Sequence, residues 1–172
     1  MNMKKTFLLV VALLSCAVLS AQESRMFRKG YSGNIEIGNY AVFGKDRVGG
    51  IAQLTTTQGI RLGDGASVGV GFGMGVDLNQ ELFFPLFLDA KYNFIDRRIS
   101  PFAAVRTGLR YGPDDEYLSY GISLGGGVDF ARHSIRIGYE YSVSSTLTYI
   151  SGRYVHQYAK PSFLFCSFAF NF

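Results

Sequence analysis

The sequence is poor in proline, four residues in 172, and has two cysteines, Cys16 and Cys166. Cys16 falls in an N-terminal apolar stretch whose fate is considered below. Without that stretch Cys166 stands alone, so no internal disulfide can form. Beyond residue 21 no run of 18 apolar residues occurs, which excludes a membrane-spanning helix there. No Cys/His cluster has zinc spacing. The glycines Gly69, Gly71, Gly73 and Gly75 recur at every second residue, without the G-x-G-x-x-G spacing or following helix of a nucleotide loop. Charge of one sign is scarce too. Setting Lys4 and Lys5 aside leaves 15 basic and 13 acidic residues, net +2, too little bias for nucleic acid. No cofactor is expected. What the chain has instead is Gly (21), Phe (15) and Tyr (11). Aromatics favour strands and glycines mark turns or close contacts, so the composition reads as all-β.

Lys4 and Lys5 precede an almost wholly apolar stretch from Thr6 to Leu19, and Ala21 offers a small residue before Gln22. That order predicts a secretory signal peptide over 1–21 and one domain over 22–172. An anchor helix is disfavoured by the shortness of the stretch. Acylation at Cys16 is disfavoured because the apolar run continues past it.

From residue 31 onward the chain alternates with period two, the signature of strands with two unlike faces. Eight segments are expected: 31–43, 48–62, 66–78, 82–94, 99–111, 117–130, 134–150 and 153–172. Turn residues separate them, among them Gly63-Asp64-Gly65, Asn79-Gln80, Asp96-Arg97-Arg98 and Ser151-Gly152. One face carries Val68, Val70, Leu86, Leu88, Ile135 and Ile137. The other carries ten charges: Glu36, Arg61, Asp77, Asp89, Lys91, Arg106, Arg110, Asp129, Arg136 and Glu140. Facing residues in a hairpin share a side of the sheet. A two-residue turn at Ser151-Gly152 would pair Ile137 with Cys166, Tyr139 with Leu164 and Ile135 with Phe168. The Gly63–Gly65 turn would pair Ile60 with Val68 and Leu62 with Ala66. Every pair joins apolar-face residues.

Such a sheet can close with its apolar face inward, as a soluble barrel, or outward against lipid. Outward is favoured by the balanced charges of the polar face, which a narrow lumen could neutralise. Glycine on that face (Gly69, Gly71, Gly73, Gly75, Gly121, Gly125, Gly127, Gly138) would leave room for long arginines. Aromatics lie near both ends of the apolar face: Tyr92, Phe94, Phe130, Phe170 and Phe172 at one, Phe43, Phe84, Tyr111 and Tyr120 at the other. Two girdles of this kind mark membrane interfaces. A lipid-facing charge costs about 2–4 kcal/mol at the midplane, and the apolar face has none. Asn39, Thr56, Gln58 and Thr107 fit that face badly; a bulge or shifted boundary is the expected remedy. The fold expected is an eight-stranded antiparallel up-and-down transmembrane β-barrel with a polar lumen filled by side chains.

In the last strand, Ser162 to Phe172, Leu164, Phe168, Phe170 and Phe172 share a face and the strand ends on an aromatic. This resembles the signal by which outer-membrane barrels are recognised by their assembly machinery. With Thr55 to Gly65, Phe84 to Phe94 and Ser100-Pro101-Phe102, the chain resembles the OmpA/OmpX-like outer-membrane β-barrel domain, of the kind common in Bacteroidota. The resemblance implies an outer-membrane location, lipid and lipopolysaccharide as surroundings, and both termini in the periplasm. It does not specify an activity.

Catalysis is not expected. His133 and Ser134 are adjacent on a strand and point to opposite faces; His133 and His156 are expected to be solvated. Asp114-Asp115-Glu116 could attract a hard cation but reads first as a solvated turn. The ten charges read as a structural ion-pair network. The role expected is structural, or interaction at the cell surface as a monomer, with a protein partner at the 145–158 hairpin. The alternatives are a narrow ion or small-solute channel and a secreted soluble barrel holding a lipophilic ligand.

Overall fold

The structure is a computed structural model and describes residues 27–43, 48–76, 81–113, 117–150 and 153–172. Its strands are β1 (Gly30–Phe43), β2 (Val48–Gly63), β3 (Ala66–Val76), β4 (Leu82–Asn93), β5 (Ile99–Gly112), β6 (Tyr117–Phe130), β7 (His133–Ile150), β8 (Arg153–Ala159) and β9 (Ser162–Asn171). Strands β1 to β7 pair antiparallel with their chain neighbours, and β9 pairs with both β7 and β1. The result is a closed eight-stranded barrel. The expected final strand, 153–172, comes as two segments. Ser144↔Ala159 and Tyr141↔Ser162 belong to one register, so β8 prolongs β9. The break falls at Pro161, which has no N–H for the ladder but still accepts a bond from Ser142 N at 3.0 Å.

Register sets the shape. Following paired residues from Val76 through Ala52, Asn39, Cys166, Ile137, Gly126, Ala103 and Tyr92 leads back to β3 at Ala66, ten residues from the start. A stagger of this size goes with strands tilted by about 40° and an interior just wide enough for side chains. Ile137↔Cys166, Tyr139↔Leu164 and Ile135↔Phe168 pair as expected, as does Ile60↔Val68. Leu62 does not face Ala66. Gly63 does, after a bulge between Arg61 and Gly63. Asp64 (φ 51°) and Gly65 (φ 87°) both adopt the left-handed region, the two-residue turn whose twist suits a hairpin, and Gly63 (φ 89°) takes up the extra residue.

The apolar face is outside. Val70, Leu86 and Ile137 are 49%, 55% and 62% exposed, while Arg106 and Glu140 are each 6% exposed. A soluble barrel with an apolar interior is therefore ruled out. Tyr92 and Phe94 pack edge to face at 5.5 Å at the end of the barrel with the short turns; Phe84, Tyr111 and Tyr120 are exposed toward the other end. The four misfits stay outside, so no bulge removes them. Three are satisfied by hydrogen bonds instead. Thr56 donates to Asn34 O, Gln58 donates to Thr56, and Tyr31 donates to Gln58. Thr107 donates to Gly121 O and bonds the Tyr120 hydroxyl. Asn39 is exposed on the outer face.

The inner face is less polar than expected. Phe83, Phe87, Phe102, Phe163, Phe165 and Tyr40 all point inward and are buried. The inward glycines make room for these rings as well as for arginines. Phe87 faces Gly71 and Gly108, Phe83 faces Gly75, Phe102 faces Gly127 and Phe165 faces Gly138 in register. A Cβ on Gly127 would meet Ile135 O at 2.0 Å and the Phe102 ring at 2.7 Å. On its outward neighbour Gly126 the nearest atom would be Phe102 O at 3.3 Å. Gly127→Ala should therefore destabilise the barrel by about 1–3 kcal/mol through overpacking, and Gly126→Ala much less. Urea unfolding in lipid vesicles compares the two; equal midpoints would contradict the packing described.

Candidate functional site

The polar groups of the molecule converge in the lumen, because alternate residues of every strand point there. Asp89 on β4 and Arg106 on β5 are register partners, and Nε of Arg106 donates to Asp89 Oδ1 at 3.2 Å. The rest of the guanidinium reaches across the lumen to Glu36 on β1, with Nη1 and Nη2 donating to its two oxygens at 3.2 and 2.9 Å. Arg136 on β7 donates to both oxygens of Asp89, at 3.0 and 3.1 Å. These four side chains form one tier across the barrel. Two-pronged arginine–carboxylate bonds of this kind fix orientation as well as charge. The Arg106 guanidinium lies 4.0 Å from the centre of the Phe87 ring.

Two smaller clusters flank the tier. Toward the long loops, Arg110 holds Glu140 at 2.7 Å and is surrounded by the rings of Tyr40, Phe83 and Phe163 at 5.1, 5.7 and 5.5 Å. Toward the short turns, Lys91 lies 2.8 Å from Asp129, which also accepts from Asn93 at 2.5 Å. On its way to Asp129 on β6 the Lys91 ammonium lies over the Phe102 ring of β5, 4.5 Å from its centre. Of the ten expected lumen charges, the structure brings eight together. Arg61 lines the lumen at the short-turn end but joins no ion pair among the described residues. Asp77 lies outside the described residues, as does the Asp114–Glu116 loop.

The histidine–serine pair does not converge. Ser134 is buried in the lumen. His133 is outside, stacked on Phe168 at 5.4 Å and near Phe170 and Phe130. It belongs to an aromatic belt and is not simply solvated, contrary to expectation. The side chain of His156 lies outside the described residues. Among the described residues no group of three metal-ligating side chains gathers. Leu164 and Phe168 are exposed on the outer face, with Phe170 and Phe172 half-buried. The backbone of Phe172 exchanges two hydrogen bonds with Gly33, which ties the last strand to the first.

Four of the inward aromatics lie on strands that are apolar on both faces, Phe83 and Phe87 on β4 and Phe163 and Phe165 on β9, where alternation of hydropathy does not mark the inner side. For Phe83, Phe87, Phe102 and Phe165 the glycine in register was the available signal; Tyr40 and Phe163 face none.

No protein-family model and no curated protein matches this sequence. Comparison with solved structures does find likeness. The crystal structure of Neisserial surface protein A matches with a TM-score of 0.57 at 13% identity, over 84% of this chain and 99% of that one. This chain has the fold of the small outer-membrane β-barrels. A de novo designed transmembrane β-barrel matches with a TM-score of 0.51 at 11% identity, over 88% and 100% of the two chains. The outer-membrane protein AlkL, solved in lipid bilayers, matches with a TM-score of 0.51 at 10% identity, over 88% and 94%. At such identities the likeness speaks for the fold.

Within that barrel Arg106 satisfies two carboxylates at once. Arg106→Leu should strand Glu36 and half of Asp89, lowering stability by about 3–5 kcal/mol, as when one partner of a buried pair is lost. Adding Glu36→Gln should restore part of the loss. Arg110→Leu should also lower the unfolding midpoint, through Glu140. Unchanged midpoints would mean that the pairs do not stabilise the barrel.

Proposed function

We propose that the chain is an integral outer-membrane barrel, exported by residues 1–21, whose role is structural and interactive at the cell surface and not catalytic. It would insert as a monomer, with assembly machinery reading Leu164, Phe168, Phe170 and Phe172 before the strand is closed in. Outer-membrane lipid and lipopolysaccharide would be its surroundings.

The observation that carries the surface role is the ribbon of β7 and β8. The last rung between β6 and β7 is Leu118↔Ser145, and β1 meets β9 no further than Val42↔Phe163. Pairing between β7 and β8 continues to Ile150↔Arg153. Residues 146–150 and 153–157 thus form a two-stranded ribbon beyond the barrel wall, with both outer edges unpaired among the described residues. Free edges can accept an added strand, and a protein partner would dock there. The rival reading, a narrow ion or solute path, meets the Glu36–Arg106–Asp89–Arg136 tier lying across the lumen.

Two measurements test this reading. A tag inserted between Ser151 and Gly152 should be reached by antibody on intact cells, and one between Arg97 and Arg98 only after the outer membrane is opened. The reverse pattern, or a tag reached on neither side, contradicts the placement. Ile150→Lys combined with Val155→Lys should remove adhesion of expressing cells while leaving heat-modifiable gel migration unchanged; undiminished adhesion contradicts the ribbon's role.

A further inference from the structure

The short-turn end of the lumen holds a polar cavity bounded above by Asp89 and lined by Arg61, Thr57, Asn34 and Ser67. It offers about 40 Å³ of water-accessible space, room for about three waters or one small oxyanion. Three of its groups lack hydrogen-bond partners: Arg61, the Thr57 hydroxyl and Oδ1 of Asn34. Arg61 has no hydrogen bond or ion pair among the described residues; it feels the charge of Asp129 at longer range, but both carboxylates that line the cavity are hydrogen-bonded to other groups. Asp89 is held by Arg106 and Arg136, Asp129 by Lys91 and Asn93. The Thr57 side chain is buried, at 6% exposure, and its hydroxyl has no partner. Within the lumen the described residues supply five cations (Arg61, Lys91, Arg106, Arg110, Arg136) and four carboxylates (Glu36, Asp89, Asp129, Glu140), and the salt bridges consume all but Arg61.

A buried donor without an acceptor is costly, and a guanidinium offers a planar fork matched to carboxylate or phosphate oxygens. We propose that this vestibule binds a small oxyanion, a carboxylate or a phosphate, between the Arg61 guanidinium and the Thr57 hydroxyl. The anion supplies a close counter-charge for Arg61, the cation that the ion pairs of the described residues leave over, and an acceptor for the orphaned hydroxyl. The site is set at the end of the tube and walled by β1 to β4, β6 and β9, so its ligand comes from the aqueous side and not from the bilayer.

The test is a titration of the full-length protein, purified from membranes in neutral detergent, followed by the NMR signals of the arginine Nε–Hε groups and backbone amides. Inorganic phosphate, acetate and chloride are added at constant ionic strength. A saturable shift of Arg61 Nε–Hε and the Thr57 amide with phosphate or acetate, absent with chloride, supports the site; which of the two saturates assigns the anion class. Arg61→Gln should weaken binding at least tenfold and Thr57→Val several-fold, while Thr57→Ser keeps it. Heat-modifiable migration confirms that each variant is folded, and should Arg61→Gln fail to fold, the Thr57→Val and Thr57→Ser pair decides. Shifts that stay linear to roughly 50 mM, well past a Kd of about 1 mM, or equal saturation in Arg61→Gln or Thr57→Val, would overturn the proposal and leave water as the occupant.

Discussion

A sheet in hydrocarbon has no water to satisfy its backbone N–H and C=O groups, so it must close on itself. In this chain the closure is made by β9, which pairs with β7 on one side and with β1 on the other. Everything else follows from having eight strands around that ring. The circumference is short, the lumen is narrow, and each strand offers one face to the outside and one to a space a few side chains wide. The outside must be predominantly greasy. The inside must be filled, and filled without leaving charges alone.

The filling uses two devices together. Phenyl rings from β4, β5 and β9 enter the lumen where glycine faces them, as Phe87 does between Gly71 and Gly108. Arginines then lie on those rings and reach carboxylates on distant strands, as Arg106 does over Phe87 toward Glu36. Neither device works without the other. A lumen of charges alone would leave voids, and a lumen of rings alone would give the polar atoms of the walls nothing to bond. The same logic shows where the filling is incomplete: at the short-turn end, where Arg61 and Thr57 look into a cavity.

Much of this was legible in the sequence. Alternation separated the faces, and the charge pattern told which face was inside. A two-residue turn at Ser151-Gly152 placed Ile137 opposite Cys166. The structure departs from the sequence where local chemistry overrides alternation. Three consecutive residues with positive φ at Gly63, Asp64 and Gly65 add a bulge that no period-two count reveals. Pro161 interrupts the last strand without changing its register. Thr56, Gln58 and Thr107 face outward because a hydroxyl or amide can bond within the sheet surface, which hydropathy does not see. Ion-pair partners such as Lys91 and Asp129 sit on strands two apart. Choosing them requires knowing what lies between them, here the Phe102 ring under the Lys91 ammonium, and that depends on register across three strands.

Neighbouring residues of each strand look in opposite directions, one to hydrocarbon and one to a packed, charged lumen, as Leu86 and Phe87 do. The chain has no tryptophan, so a single one introduced by substitution reports without background. Leu86→Trp and Phe87→Trp, each refolded into vesicles, can be compared by quenching with lipids brominated along the acyl chain. Strong quenching and blue-shifted emission for Leu86→Trp, with weak quenching for Phe87→Trp, is the result expected. Equal quenching at the two positions, or the reverse order, would contradict it.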